Sequence, residues 1–205
     1  HPHNFEFKAG ISKEEYITKI LKIKEHIQLG NIYELNFCQE YYAENVEIPY
    51  EIDTYFKLNT ITQAPYSSYF KFGDFDIFCG SPERFLKKEG NKLLSQPIKG
   101  TAPRGVSEEE DVILKNNLAN DPKERAENIM IVDLVRNDLS RVASVNSVRV
   151  DELCEIYSFE TVHQMISSIS CDLREGVTFT EILKATFPMG SMTGDATTAE
   201  DSNYP

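Results

Sequence analysis

One lysine stands in a short segment rich in proline and glycine, and its position favours chemistry. Lys99 lies between Pro97 and Gly100, with Pro103 and Gly105 a few residues further on. Proline restricts φ and glycine lets the backbone approach a ligand closely. The segment therefore predicts a rigid loop that offers N–H groups to an anion, with an amine that acts as a nucleophile when it is neutral. The alternative is a surface turn with a solvated lysine.

Three carboxylates stand where metal or acid–base chemistry is possible. Glu124 and Glu127 are three residues apart in a helical pattern, so both project from one face. Mg²⁺ typically takes one or two protein carboxylates and leaves its other positions to water and an anionic substrate. The alternative is an acidic first turn that complements the helix dipole. Glu83 follows a predicted strand, where its carboxylate can serve as a general acid or pair with Arg84.

Two other polar positions are candidates for substrate contact. His163 is a single histidine in an apolar segment, which is compatible with proton transfer or with a hydrogen-bonded residue of the core. Ser191 lies between two glycines after a predicted helix, a pattern that suits binding of a carboxylate or carbonyl group. The alternative for Ser191 is an ordinary loop that caps the helix.

Strands precede, interrupt and follow helices along the chain, which predicts an α+β fold with a largely antiparallel sheet. Ser12 and Glu15 form a capping box that begins the most secure helix, and Asp121 caps the longest one. The predicted helices span residues 12–30, 52–58, 107–120, 122–139 and 179–187, and the predicted strands span 32–42, 66–72, 75–79, 84–88, 92–96, 145–150 and 156–159.

Composition limits the class of protein. The formal net charge of −12 disfavours a nucleic-acid or anionic-membrane surface, because both need a basic face. An anionic substrate must then be met by a bound cation or a few placed basic groups. The four cysteines are far apart and have no metal-ligand spacing, so we expect buried, reduced thiols in a cytoplasmic protein. The length suits one globular unit.

Six segments, which together extend along most of the chain, resemble the chorismate-utilising enzyme family. No single segment is diagnostic, but the amino-acid sequences of the six segments and their order along the chain are specific when taken together. They are residues 32–39 (IYELNFCQ), 80–85 (GSPERF), 97–105 (PIKGTAPRG), 124–139 (ERAENIMIVDLVRNDL), 159–168 (FETVHQMISS) and 187–194 (FPMGSMTG).

The resemblance implies part of the two-layer β-sandwich, flanked by helices, that is found in anthranilate synthase component I. It also implies a reaction on chorismate, in which Mg²⁺ holds the ring carboxylate and a nucleophile replaces the C4 hydroxyl. By this resemblance Glu127 is a metal ligand and Glu124 a direct or water-mediated one. The remaining assignments place Gly100 and Thr101 at the ring carboxylate, Ser191 at the enolpyruvyl group and His163 near the reacting ring.

Lys99 distinguishes branches of this family, because anthranilate synthases carry alanine at the matching position. The resemblance therefore points to the aminodeoxychorismate synthase branch, in which the lysine attacks C2 and ammonia then attacks C4. Glu83 would protonate the departing hydroxyl. A partner glutamine amidotransferase would supply the ammonia, and the product would enter para-aminobenzoate and folate synthesis. Anthranilate synthase component I and a non-catalytic fragment that scaffolds a glutaminase are the alternatives.

The chain also departs from the family pattern. Members are considerably longer, and their N-terminal half and much of their C-terminal region, including a second set of metal glutamates, have no counterpart here. We expect residues 1–205 to be one partial chorismate-binding domain, with a possible artificial junction at residues 194–195. A chain that is continuous and complete as it stands is expected not to bind Mg²⁺ and chorismate productively.

Overall fold

The structure is a computed structural model that describes residues 5–196, apart from the side chains of residues 33, 191 and 194–196. It confirms the α+β prediction. The helices are α1 (Lys13–Gln28), α2 (Glu51–Thr62), α3 (Glu108–Asn120), α4 (Pro122–Ser140), α5 (Phe179–Thr186) and α6 (Gly190–Thr193). The strands are β1 (Lys8–Ala9), β2 (Ile32–Leu35), β3 (Tyr41–Tyr42), β4 (Tyr66–Phe72), β5 (Phe75–Ser81), β6 (Arg84–Glu89), β7 (Lys92–Gln96), β8 (Ile98–Pro103), β9 (Arg149–Ser158), β10 (Val162–Asp172) and β11 (Gly194–Ala196).

The chain divides into two compact units. Among the described residues, the first contains residues 5–63, Ser67–Gly80 and residues 192–196. Its α1 begins at the predicted capping box, in which Ser12 and Glu15 bond each other's backbone N–H groups. Short two-stranded sheets pair β1 with β3, β2 with β11, and β4 with β5. None of the described side chains in α1 or α2 is buried, so this unit holds its helices by partial burial only.

The second unit, Ala64–Tyr66 and Ser81–Ser191, is built around β10. This strand pairs antiparallel with β9 along one edge and with β7 and β8 in succession along the other, and β6 completes the five-stranded sheet beyond β7. Residues 163–171 of β10 are all buried. A strand buried on both faces need not alternate apolar and polar residues, and the absence of such alternation is why no strand is predicted at residues 162–172.

Two hydrophobic clusters hold helices on one face of this sheet. The larger one joins Leu93 and Ile169 of the sheet to Val132 and Leu139 of α4 and Ile182 of α5. The smaller one joins Leu118 of α3 to Cys154 and Met165. Full burial of such a side chain stabilises a fold by about 1.5–3 kcal/mol. These clusters fix α3 and α4 across β8 and β10.

The structure corrects four predictions from the sequence. The predicted strand at residues 32–42 is interrupted, because β2 ends at Leu35 and β3 contains only Tyr41 and Tyr42. The Lys99 segment is a strand, β8, and not a loop. The predicted strand at residues 145–150 is wrong over residues 145–148, because Asn146 has a φ of 60° in a turn and β9 begins only at Arg149. The four cysteines are free, but Cys38 is exposed and only Cys154 and Cys171 are buried. No helix within residues 5–196 is long and apolar enough to cross a membrane.

Candidate functional site

A β-bulge places Lys99 in an irregular part of β8. Thr101 pairs with Gln164 and Ile98 pairs with Ile166, so Lys99 and Gly100 both stand opposite Met165 alone. One extra residue on one strand bends that strand and redirects its side chains. Gly100 has a φ of 92°, which a residue with a side chain rarely adopts. The proline and glycine pattern therefore marks a bulged strand, in which Lys99 is half-buried.

The bulge brings β8 against the helix that carries the two predicted metal glutamates. A Cβ atom added at Gly100 would lie 3.1 Å from Oε2 and 3.2 Å from Cβ of Glu124, and 3.2 Å from Cδ1 of Leu118. The absence of a side chain at this position is thus what allows Glu124 to approach the strand. The structure thus brings Gly100, the residue that follows Lys99, against Glu124, while the roles of these residues stay predictions.

The side chains of Glu124 and Glu127 both pair with the ammonium group of Lys123. The Asp121 carboxylate caps α4 by accepting bonds from the N–H groups of Lys123 and Glu124, and Pro122 occupies the first turn. The Nζ atom of Lys123 lies 3.4 Å from Oε1 of Glu124 and 3.0 Å from Oε1 of Glu127. The hydrogen bond to Glu127 raises the pKa of Lys123. Both glutamate side chains are half-buried and point towards the same ammonium group.

This pair fits part of a Mg²⁺ site. Two oxygen ligands that converge on one cation suit Mg²⁺, which takes one or two protein carboxylates and completes its shell with water and substrate oxygens. Within residues 5–196 no group of three or more His, Cys, Asp or Glu side chains is arranged to hold a metal. Glu124 and Glu127 therefore remain predicted ligands, and the described residues add no third one.

Glu83 lies in the turn between β5 and β6 and approaches the start of β8. Its Oε1 atom accepts a bond from the Ile98 N–H at 3.4 Å, one residue before Lys99. The turn is held by Ser81, whose Oγ accepts from the Glu83 N–H at 3.3 Å. Arg84 bonds the Tyr66 hydroxyl through Nε at 3.1 Å and stacks on the same ring. The carboxylate of Glu83 is thus placed beside the start of β8, and its role as an acid stays a prediction.

His163 is fully buried, and both of its ring nitrogens have partners. Nε2 lies 3.0 Å from Oδ1 of Asp111, and Nδ1 lies 2.9 Å from the Ser158 hydroxyl. An ionised carboxylate only accepts hydrogen bonds, so Nε2 carries the hydrogen. The histidine connects α3, β9 and β10. A role in proton transfer or orientation stays a prediction, and this network favours orientation.

The Asp111 carboxylate joins this histidine to the end of β8. Arg104 binds it through Nε at 2.8 Å and Nη2 at 2.9 Å, and the Gly105 N–H donates to it at 2.8 Å. The guanidinium of Arg104, followed by the Gly105 N–H, holds the pKa of Asp111 well below its usual value. Arg104 also donates to the Phe159 carbonyl. The network therefore anchors the strand that carries Lys99 to α3 and to the turn after β9.

Sequence reasoning missed a buried polar cluster that supports the glutamate pair. Oδ1 of Asn128 accepts a bond from the Ser167 hydroxyl, and its Nδ2 donates to the Met165 carbonyl at 3.4 Å. Ser167 Oγ in turn accepts a hydrogen bond from the Cys154 N–H at 2.9 Å. Cys154 has a φ of 56° and lies at a second bulge, in β9. Burial raises the pKa of the Cys154 thiol. Because Asn128 follows Glu127 directly, the cluster fixes the turn of α4 that carries the carboxylate.

The remaining predicted substrate contacts are only partly described. Thr101 is exposed, and its register partner Gln164 is a buried residue that the sequence did not single out. Alternation along a strand places Gln164 on the opposite face from His163. Ser191 belongs to the one-turn helix α6, and its side chain lies outside the described part of the structure. The tail after Ala196, including most of the segment after the suspected junction, is likewise outside the described residues.

The described groups thus include a lysine at a bulge of β8, the Glu83 carboxylate bonded to the same strand, and two α4 glutamates that converge on one ammonium group. The family model described as chorismate binding enzyme matches residues 1–195. The chain belongs to the chorismate binding enzyme family.

Similar proteins include two different synthases. The chain is 37% identical over 188 residues to aminodeoxychorismate synthase component 1 of Klebsiella aerogenes, covering 92% of this chain and 41% of that protein. It is 37% identical over 189 residues to anthranilate synthase component 1 of Pseudomonas putida, covering 92% and 38%. The crystal structure of anthranilate synthase component I from Streptococcus pneumoniae TIGR4 aligns with a TM-score of 0.81 at 29% identity, covering 93% and 41%. The chain therefore spans about two fifths of the length of these relatives.

Proposed function

We propose that the protein is the chorismate-aminating component of an aminodeoxychorismate synthase, which forms 4-amino-4-deoxychorismate from chorismate and ammonia. The observation that carries this proposal is Lys99, a half-buried lysine at the β8 bulge. Gly100 beside it contacts Glu124, and Glu83 bonds the backbone N–H of Ile98. The proposed nucleophile therefore lies on a strand that both Glu83 and Glu124 approach.

The first half of the reaction uses Lys99 and Glu83. The neutral amine of Lys99 attacks C2 of chorismate, the ring double bonds shift towards C4, and the C4–O bond breaks. Hydroxide is a poor leaving group, so a proton from Glu83 lets the oxygen leave as water. This step consumes chorismate, leaves the ring bonded to Lys99 as an ammonium, and leaves Glu83 as a carboxylate.

The second half releases the lysine. Ammonia attacks C4, the double bonds shift back, and the C2–N bond breaks so that Lys99 leaves as an amine. The Glu83 carboxylate then takes a proton from the new C4 ammonium group, which restores both residues. Mg²⁺, when held by Glu127 and Glu124, supplies positive charge that offsets the ring carboxylate of the substrate. We assign the contacts with that carboxylate to Gly100 and Thr101, which belong to the same strand.

The partner and the pathway follow from the same proposal. The name component 1 in the relatives implies a second component, and we propose that a glutamine amidotransferase supplies the ammonia. The product would then serve para-aminobenzoate and folate synthesis.

The test is the product formed from chorismate, MgCl₂ and ammonium chloride at a pH that supplies free ammonia, identified by mass spectrometry. We expect an aminated product that retains the enolpyruvyl group, with no release of pyruvate. Anthranilate together with pyruvate would overturn the proposal and support the second candidate, an anthranilate synthase component. That candidate is favoured by the equal identity to the Pseudomonas putida relative.

A further inference from the structure

Lys123 stands where a cation is unfavourable for the helix itself. It is the second residue of α4, after Pro122. The first turn of a helix carries a partial positive charge from its unpaired N–H groups, so a lysine there is repelled, whereas an acidic residue is attracted. The stability of α4 alone does not explain a lysine at this position.

The interaction that offsets this repulsion is made with two carboxylates at once. Nζ of Lys123 lies 3.4 Å from Oε1 of Glu124 and 3.0 Å from Oε1 of Glu127. The two glutamate side chains are 27% and 35% exposed, and carboxylates one turn apart repel each other. The ammonium group relieves this repulsion and keeps both carboxylates turned towards one point.

The ion pairs between Lys123 and the two glutamates are easily broken. The Lys123 side chain is 72% exposed, so its ammonium group keeps much of its hydration while it is paired. Ion pairs of this kind are weak, because water screens them and the long lysine side chain loses conformational freedom. A divalent cation brings twice the charge to the same oxygens, which are ligands that Mg²⁺ prefers. Displacement of the Lys123 ammonium group by a divalent cation therefore costs little free energy.

We propose that Lys123 is a displaceable counter-ion of the Glu124–Glu127 pair. It holds the two carboxylates together while no metal is bound, and it moves out into solvent when a divalent cation takes its place. This inference rests on the metal site of the proposed function. Because the cation must compete with a tethered ammonium group, Lys123 lowers the apparent affinity for Mg²⁺.

Lys123→Gln tests the competition, with Lys13→Gln as a matched control. Lys13 is the first residue of α1 and is followed by Glu14 and Glu15, so the control makes the same charge change in a helical first turn away from α4. We expect calorimetric titration with MgCl₂ alone, at low ionic strength, to give a Kd about two- to tenfold lower for Lys123→Gln than for the control, the range set by the weakness of such ion pairs.

A second readout is the stabilisation that Mg²⁺ gives to the folded protein. A ligand that binds only the folded state stabilises it by RT ln(1 + L/Kd), where L is the free ligand concentration, so at one ligand concentration the rise in Tm is larger when Kd is lower. The rise in Tm at a fixed MgCl₂ concentration should therefore be larger for Lys123→Gln than for the wild type and the control. Equal Mg²⁺ affinity in all three proteins overturns the displacement and leaves the carboxylate pair as a metal site. No Mg²⁺ binding by any of them overturns both.

Discussion

Among single residues, Lys99 is the one on which the proposed reaction depends. The Lys99→Ala variant removes the nucleophile but leaves the β8 pairing intact, because the strand bonds are made by the backbone. We expect turnover of chorismate to fall by a factor of about 10³ or more, since loss of a covalent nucleophile removes the reaction path and not only a contact. The control is Lys92→Ala, an exposed lysine in the neighbouring strand β7. Turnover that is equal in the two variants would contradict the role of Lys99.

The side-chain contacts of the site were only partly predictable from the sequence. Lys99, Gly100 and Glu124 were linked in the sequence only by resemblance, and the structure places Gly100 against Glu124. The bond between Asp111 and His163 joins residues 52 positions apart, and neither local pattern nor spacing reveals it. No sequence pattern singles out Lys123 either, because its contacts with Glu124 and Glu127 depend on the rotamers of the two glutamates. Short-range spacing therefore predicts which side chains share a face, but not which groups pair across elements.

At the element scale, the bulge in β8 determines how closely α4 approaches. Gly100→Ala should cost about 1–2 kcal/mol of unfolding free energy for its positive φ. Overpacking against Glu124 and Leu118 should add about 1–3 kcal/mol. Gly90→Ala is the control, because Gly90 has a φ of 58° and nothing within 4 Å of the added Cβ. Urea denaturation measures both variants, and equal losses would show that the bulge does not control the approach.

The Asp111 network, which joins α3 to β8 and β10, should make the free energy of unfolding depend on pH. The pKa of Asp111 in the folded protein lies below its ordinary value of 3.8, so the unfolded state binds more protons between the two values. The stabilisation from this carboxylate is therefore complete at neutral pH and is lost as the pH falls below about 5. The difference in unfolding free energy between wild type and Asp111→Asn should shrink from pH 7 to pH 3. A constant difference over that range would contradict the assigned network.

Elements differ in how well the sequence predicted them. The predicted helix that begins at the Ser12 capping box and the predicted strands at residues 84–88 and 92–96 nearly match α1, β6 and β7, because the signals that begin and end these elements are local. For β8 the proline and glycine content indicated a loop, whereas pairing with β10 and one bulged residue make it a strand. That pairing joins distant parts of the chain, so composition within the segment could not reveal it.

At the scale of the whole molecule, burial is uneven. Within residues 5–196 every buried side chain belongs to the second unit, and β10 is buried throughout its length from His163 to Cys171. Backbone amides exchange slowly where opening exposes a packed core. We expect hydrogen exchange measured by mass spectrometry to be slowest in β10 and α4 and much faster in α1 and α2. Equal protection in α1 and β10 would contradict this description of the core.

The central claim is that Lys99 becomes covalently bonded to the ring of chorismate. Its most direct test is the mass of the protein after incubation with chorismate and MgCl₂ in the absence of ammonia, followed by peptide mapping. We predict an adduct with the mass of chorismate less one water, located on the peptide that contains Lys99, and its disappearance when ammonium is added. Formation of the aminated product with no adduct at Lys99 under any of these conditions would contradict the claim.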